Sequence, residues 1–187
     1  MLDQLTERLK KDSKDWEKFQ NVFMEKEIAS KTILLNEGEV STKLHFIKKG
    51  CLRLWFNKEG KDITVQFFFE GQVVSSIDSL MSNQPSMFTI ESIEPCTIIS
   101  LKKNDLEQIF LTHPELKEGF NEVLFQRFKN YAYLFLSRIR DTPQERYADL
   151  LKNHPEIIKR VPQHYIASYL GITAISLSRI RNRKIFY

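Results

Sequence analysis

Cysteine is nearly missing. Cys51 and Cys96 are the two in 187 residues, too few for a disulfide scaffold, and their apolar neighbours suit buried thiols better than a metal or redox pair. Histidine is also sparse: His45, His113, His154 and His164 are scattered without ligand spacing, which leaves core, surface or capping roles for each and predicts no metal site or cofactor. No apolar run approaches membrane-spanning length, and the opening Met1-Leu-Asp-Gln-Leu-Thr-Glu-Arg8 lacks the apolar stretch of a signal peptide. The expectation is a cytoplasmic protein with no membrane partner. Internal repeats and low-complexity segments are missing as well. Phenylalanine, at 14 residues, is abundant, and a hydrophobic share of 42% is ample for the core of one large domain or two small ones.

Residues 4–28 place Leu5, Leu9, Trp16, Phe19, Phe23 and Ile28 at helical intervals among charges, which predicts one or two short helices. From Lys31 the pattern changes to brief β-prone runs: Thr32–Leu35, Leu44–Lys48, Leu52–Phe56, Ile63–Phe69, Phe88–Ser92 and Thr97–Leu101. Asn36-Glu-Gly38, Lys49-Gly50, Asn57-Lys-Glu-Gly60, Glu70-Gly71 and Glu94-Pro95 supply turn chemistry between them. Short strands at regular spacing predict a sandwich, barrel or roll.

Helices follow. Asn104-Asp-Leu-Glu-Gln-Ile-Phe110 reads as a short capped helix, and Pro114 begins a longer one to about Arg140. Its Leu116, Phe120, Leu124, Phe128, Tyr131, Leu134, Phe135, Leu136 and Ile139 cover more than one face. Such a helix needs cover on several sides, and a second copy of itself is the economical candidate; burial wholly within its own chain is the alternative. Asp141-Thr-Pro143 breaks this helix and starts another over 144–152.

The C-terminal stretch carries the most chemistry. Pro162 can open a helix, with Ile166 and Leu170 four residues apart on one face. Gly171 can take the left-handed conformation that turns the chain. Thr173 can cap the next helix with its hydroxyl, and Leu177 and Ile180 then face the first helix. The opposite face carries Ala174, Ile175, Ser178, Arg179 and Asn182 in a single stripe, with Arg181, Arg183 and Lys184 flanking it. Arginine can donate two hydrogen bonds to a guanine edge, asparagine can pair with adenine, and Ala or Ile can touch a thymine methyl. This is the pattern of a helix-turn-helix; an ordinary helical hairpin with a solvated basic end has the same spacing. Charge segregation separates the two. From Arg138 onward there are ten Lys/Arg against four Asp/Glu, whereas the preceding residues hold 18 against 20, and a cationic end joined to a nearly neutral body suits phosphate binding.

Three segments in this order resemble the Crp/Fnr family of bacterial transcription regulators over nearly the whole chain. They are Leu44-His-Phe-Ile-Lys-Lys-Gly-Cys-Leu-Arg-Leu54, Asp141-Thr-Pro-Gln-Glu-Arg-Tyr-Ala-Asp-Leu-Leu151, and Ile166-Ala-Ser-Tyr-Leu-Gly-Ile-Thr173 with Ser176-Leu-Ser-Arg-Ile180. The resemblance implies an α+β fold: a cyclic-nucleotide-binding-like β-roll (double-stranded β-helix or jelly roll) over 1–113, a dimerising helix over 114–140 and a helix-turn-helix domain over 141–187. It implies a homodimer on double-stranded DNA, with half-sites about one helical turn, ~34–36 Å, apart, and RNA polymerase as a further partner. Thr173, Ala174, Ile175, Ser178, Arg179, Asn182, Arg183 and Lys184 are then the DNA-facing residues. Ala174 and Ile175 stand where the family often holds Arg and Glu, so an altered base preference is expected, and Arg179 alone keeps the family's residue.

The resemblance breaks down in the sensor. A cyclic-nucleotide roll carries Gly-Glu and Arg-Ser, because a buried cyclic phosphate needs a cation and the ribose hydroxyl a carboxylate. In Glu70-Gly-Gln-Val-Val-Ser-Ser-Ile-Asp-Ser-Leu-Met-Ser-Asn-Gln-Pro-Ser-Met-Phe88, Ser75-Ser76 and Ser86-Met87 take those places. Cyclic AMP is therefore not expected to bind tightly. A different small effector has a candidate pocket at Gly71, Ser75, Ser76, Ser86 and Met87, with Tyr131 of the long helix either capping it or filling the space. The family's iron–sulfur sensors need about four thiolates, more than this chain holds. With the chain stopping at Ile185-Phe-Tyr187, the family's β-hairpin wing and its backbone contacts are expected to be missing. Two other readings stay open: a cupin-like metal enzyme, for which the strand region lacks His-x-His, and a ligand-binding module whose helical hairpin meets protein rather than DNA.

Overall fold

The computed structural model describes residues 2–182. It contains helices α1 (Leu2–Lys10), α2 (Ser13–Phe19), α3 (Ile77–Ser82), α4 (Lys103–Thr112), α5 (Glu115–Arg140), α6 (Pro143–Asn153), α7 (Pro155–Arg160), α8 (Gln163–Leu170) and α9 (Ala174–Asn182). Its strands are β1 (Met24–Ile28), β2 (Ile33–Leu35), β3 (Lys43–Lys49), β4 (Leu52–Lys58), β5 (Lys61–Phe68), β6 (Val73–Val74), β7 (Thr89–Ser92) and β8 (Cys96–Lys102). The chain forms two compact units, one from residues 1–54 and 67–124, the other from 55–66 and 125–187.

The strands form two four-stranded sheets, ordered β1-β8-β3-β6 and β2-β7-β4-β5; the first unit holds them except for residues 55–66 of the β4–β5 hairpin, which fall in the second. Side chains alternate across a strand, and β3 uses both of its faces. Ile47 faces the other sheet, in a core with Ile28, Leu35, Leu52, Leu54, Phe68, Val74, Ile90 and Ile98. Leu44 and Phe46 point the other way, into a cluster with Leu5, Leu9 and Phe19 of the N-terminal helices, Leu106 and Ile109 of α4, and Phe120 of α5. Gly50 turns the β3–β4 hairpin at φ +102°, where a Cβ would stand 2.5 Å from Cys96 Sγ and 2.8 Å from the Pro95 carbonyl; no larger residue fits there without moving backbone.

Three expectations are corrected. The helical reading of 4–28 holds only to Phe19: residues 24–28 form edge strand β1, paired with β8 from Met24↔Ser100 to Ile28↔Cys96. Four of its five residues are exposed, so this charged Glu/Lys-rich strand shows no apolar alternation to read. Asn104 is not a cap, because α4 begins one residue earlier and its N-cap, Lys102, makes no side-chain capping bond. Pro155 opens a further helix, α7, between the helix expected over 144–152 and the one expected from Pro162; Pro suits that first helical position.

In the second unit, Thr142 and Glu145 form a reciprocal capping box at the start of α6, with Pro143 at the first position. Tyr147, Leu150, Ile157, Val161, Ile166, Ala167, Leu170, Leu177 and Ile180 are all buried. Small helices thus share one apolar centre.

Candidate nucleic-acid interface and ligand site

α8 ends as the spacing predicts. Gly171 takes φ +69° and ψ +34°, and its N–H closes the last turn, a left-handed C-cap that redirects the chain within one residue. Thr173 Oγ1 accepts from the Ser176 N–H at 3.1 Å, which opens α9. Leu177 and Ile180, 1% and 4% exposed, point inward. Thr173, Ala174, Ile175, Ser178, Arg179, Arg181 and Asn182 are exposed. Ile175 is 66% exposed, a β-branched apolar side chain held out in water next to Arg179. Arg183 and Lys184, the remaining expected contacts, lie outside the described residues, as does the segment 185–187.

Two cations from the basic end prove to have another task. Arg138 of α5 donates from Nη2 to the Tyr169 carbonyl at 2.9 Å. Arg146 of α6 donates from Nε to the Leu170 carbonyl at 3.1 Å and from Nη1 to the Asp141 carbonyl at 2.7 Å. The last carbonyls of a helix have no partner within it, and these guanidinium groups supply one. A linear charge count cannot separate such capping arginines from those on the outward face of α9, where Arg179 and Arg181 are exposed.

In the roll, Ser75, Ser76 and Ser86 are all buried, at 2%, 4% and 3% exposure. Ser86 Oγ lies 2.8 Å from Ser76 Oγ and 2.7 Å from the Phe88 carbonyl, and it accepts from the Phe88 N–H at 3.0 Å. Ser75 Oγ lies 3.0 Å from Ser41 Oγ and donates to the Lys43 carbonyl at 2.9 Å. Ser79 Oγ, which sequence reasoning missed, accepts from the Ser41 N–H at 2.9 Å. The serines satisfy one another and the backbone where a charged cassette would meet a phosphate. Met87 points outward at 59% exposure. Gly71 sits in an exposed turn at φ +79° and donates its N–H to the Ile47 carbonyl. Neither joins the serine network.

Tyr131 belongs to the second unit, half-buried on α5 beside Arg127. Burial raises the Tyr131 phenol above its ordinary value and lowers the Arg127 guanidinium below its own. Arg127 escaped sequence reasoning because a lone cation amid a charged helix looks like solvated surface. His45 escaped it too. It is 6% exposed, with Nδ1 2.8 Å from Ser100 Oγ, and burial, reinforced by Lys43, pushes its imidazole from 6.5 down to about 4. Among the described residues no group of three or more His, Cys, Asp or Glu is placed to hold a metal ion. None of the described helices is long and apolar enough to cross a membrane.

Comparison with known proteins places this geometry. Residues 25–113 match the cyclic nucleotide-binding domain family. A mutant of CooA from Carboxydothermus hydrogenoformans superposes with a TM-score of 0.73 at 19% identity, covering 95% of this chain and 82% of that one. A protein assigned to the Crp/Fnr family from Eubacterium rectale gives 0.71 at 18% identity, over 90% and 81% of the two chains. The human patatin-like phospholipase domain-containing protein 6 is 24% identical over 87 residues, 46% of this chain; the chain spans 6% of the length of that curated relative. Residues 25–113 are thus similar to the cyclic nucleotide-binding domain family, and the chain as a whole shares its fold with these two solved structures.

Proposed function

We propose that this chain is a sequence-specific, DNA-binding transcription regulator of the Crp/Fnr type, acting in the cytoplasm as a homodimer and not switched by cyclic AMP. The observation that carries the reading is α9: an apolar rear face buried against α8 and an exposed front of Ala174, Ile175, Ser178, Arg179 and Asn182. That front combines hydrogen-bond donors with apolar contacts at the width of a major groove. Residues 1–113 act as the sensor, 114–140 as the dimer helix and 141–187 as the reading head, with RNA polymerase as the further partner. Arg179→Ala is expected to cost about 1–3 kcal/mol on the selected operator and to relax discrimination at one base pair. Fluorescence anisotropy on the operator and on random duplexes checks this, since equal losses on both would contradict base contact.

The dimer follows from α5. Phe125, Phe128, Phe135 and Ile139 are 64%, 67%, 64% and 70% exposed and, with Ala132 between them, recur at alternating steps of three and four. That is the seam of a two-stranded coiled coil, and a second copy of α5 covers it. Replacing Phe128 and Phe135 together by Glu keeps helix propensity while charging the seam. Sedimentation equilibrium should show dimer affinity falling at least about tenfold, with helical content retained.

The serine network supports the cyclic AMP reading, because hydroxyls already paired with one another offer a cyclic phosphate no cation. Titration calorimetry is expected to detect no cyclic AMP binding at micromolar concentrations. A different effector in the roll is compatible with the proposal.

A further inference from the structure

We propose that Ser168, on α8, the helix that precedes α9, is the positioning residue through which the β4–β5 hairpin sets the pose of α9. This rests on the DNA-reading function proposed above. A serine inside a helix ordinarily bonds back to its own preceding turn or to water. Ser168 does neither. Its Oγ donates to the Asp62 carbonyl at 2.7 Å and accepts from the Thr64 N–H at 2.9 Å.

Those two backbone groups belong to residues i and i+2 of β5, and they are the pair that a strand presents to a neighbour along one edge. β5 is the last strand of its sheet. The Ser168 hydroxyl therefore occupies, with a single donor and a single acceptor, the place of a missing strand. An edge left bare would be a template for foreign pairing. Thr64 is 0% exposed, so its amide has no water to turn to once the hydroxyl is gone. Residues 55–66 also cluster with the C-terminal helices rather than with the rest of the strands.

The place of the bond along α8 makes it a positioning device. Residues 168, 169 and 170 are tied in succession to three different elements: Ser168 to β5, the Tyr169 carbonyl to Arg138 of α5, and the Leu170 carbonyl to Arg146 of α6. The next residue is Gly171, and α9 begins three residues later. A rotation of α8 about its axis would break all three ties, and α9, packed on α8 through Leu177 and Ile180, would turn with it. Of these three hydrogen bonds, the Ser168 tie leads into a strand of the sensor sheet. A change in the hairpin therefore reaches the base-reading stripe through this hydroxyl.

The test compares wild type, Ser168→Ala, Ser168→Thr and Thr64→Pro. The last removes the donated N–H at an edge position, where proline is tolerated, and leaves the head's own sequence untouched. Two readouts are taken in dimeric, folded protein: amide exchange at Thr64 for the Ser168 variants, and affinity for a selected operator against a random duplex for all four. Ser168→Ala is expected to speed Thr64 exchange and to weaken operator binding about tenfold with random binding unchanged, Thr64→Pro to lose the same preference, and Ser168→Thr to restore both. Operator affinity unchanged in Ser168→Ala and Thr64→Pro, or equal losses on operator and random DNA, would overturn the positioning role alone. A wild-type chain that selects no duplex would overturn the DNA reading, and the positioning role with it.

Discussion

Glu91→Gln is expected to destabilise the roll by about 3–5 kcal/mol, because it removes the carboxylate charge that a buried guanidinium faces. Arg53, on β4, is 1% exposed; its Nε and Nη2 reach Glu91 Oε2, on β7, at 2.8 and 2.6 Å. Glu91 is itself 8% exposed. Gln keeps the size of Glu and removes the negative charge that a buried guanidinium requires. Urea denaturation should show a lower midpoint with an unchanged slope. The companion variant is more telling. Replacing the two together, Arg53→Met with Glu91→Leu, removes both desolvation costs and is expected to recover most or all of the lost stability. A double variant as unstable as Glu91→Gln would mean that the pair holds β4 to β7 by geometry that apolar contact cannot reproduce.

The second large effect is acid lability through His45. The unfolded chain takes up a proton on this imidazole as pH falls through 6.5, while the folded chain refuses one until about 4. Between those values the unfolded state binds more protons, so stability declines as the solution is acidified. The contribution is fully present above pH 6.5 and lost by about pH 4, and at about 1.4 kcal/mol per unit it amounts to about 3 kcal/mol. Carboxylates titrate in the lower part of the same window, so the informative quantity is the difference between wild type and His45→Gln. Gln retains a hydrogen-bonding group toward Ser100 without the titration. The variant's stability should fall less steeply between pH 6.5 and 4, and parallel curves for the two proteins would remove His45 as the cause.

Both effects come from residues whose roles were unreadable in the linear sequence. Arg53 sits in a hairpin otherwise made of apolar residues, and its partner is 38 positions away; only the β4–β7 neighbourhood brings the charges together. His45 lies within the very segment that carried the family resemblance, yet one histidine in a strand gives no sign of which face it takes. That depends on β3 being buried on both sides, by the second sheet and by the helices.

Local rules served well where an element's reason for forming is itself local. Gly171, Thr173 and the Leu177/Ile180 pair specified the turn, the cap and the inner face of α9, and the exposed stripe followed by default. The capping box at Thr142 and Glu145 is local in the same way. Strand β1 was lost because its five residues form a strand only by pairing with β8, some 70 residues later. Arg138 and Arg146 count toward the basic end in the sequence for a similar reason: their carbonyl partners lie at 31 and 24 residues' distance.

The sequence by itself therefore determined the succession of a β-rich region by a long helix and smaller C-terminal helices, the helix-turn-helix and its outward face, and the missing charged anchors of the roll, since each depends on residue type at short spacing. Tertiary structure decided which serines satisfy one another, where Arg53 and His45 are buried, and how α8 is tied at Ser168, Tyr169 and Leu170. Hydrogen bonds and desolvation depend on which groups meet in space. Spacing along a chain carries that information only within a turn or two.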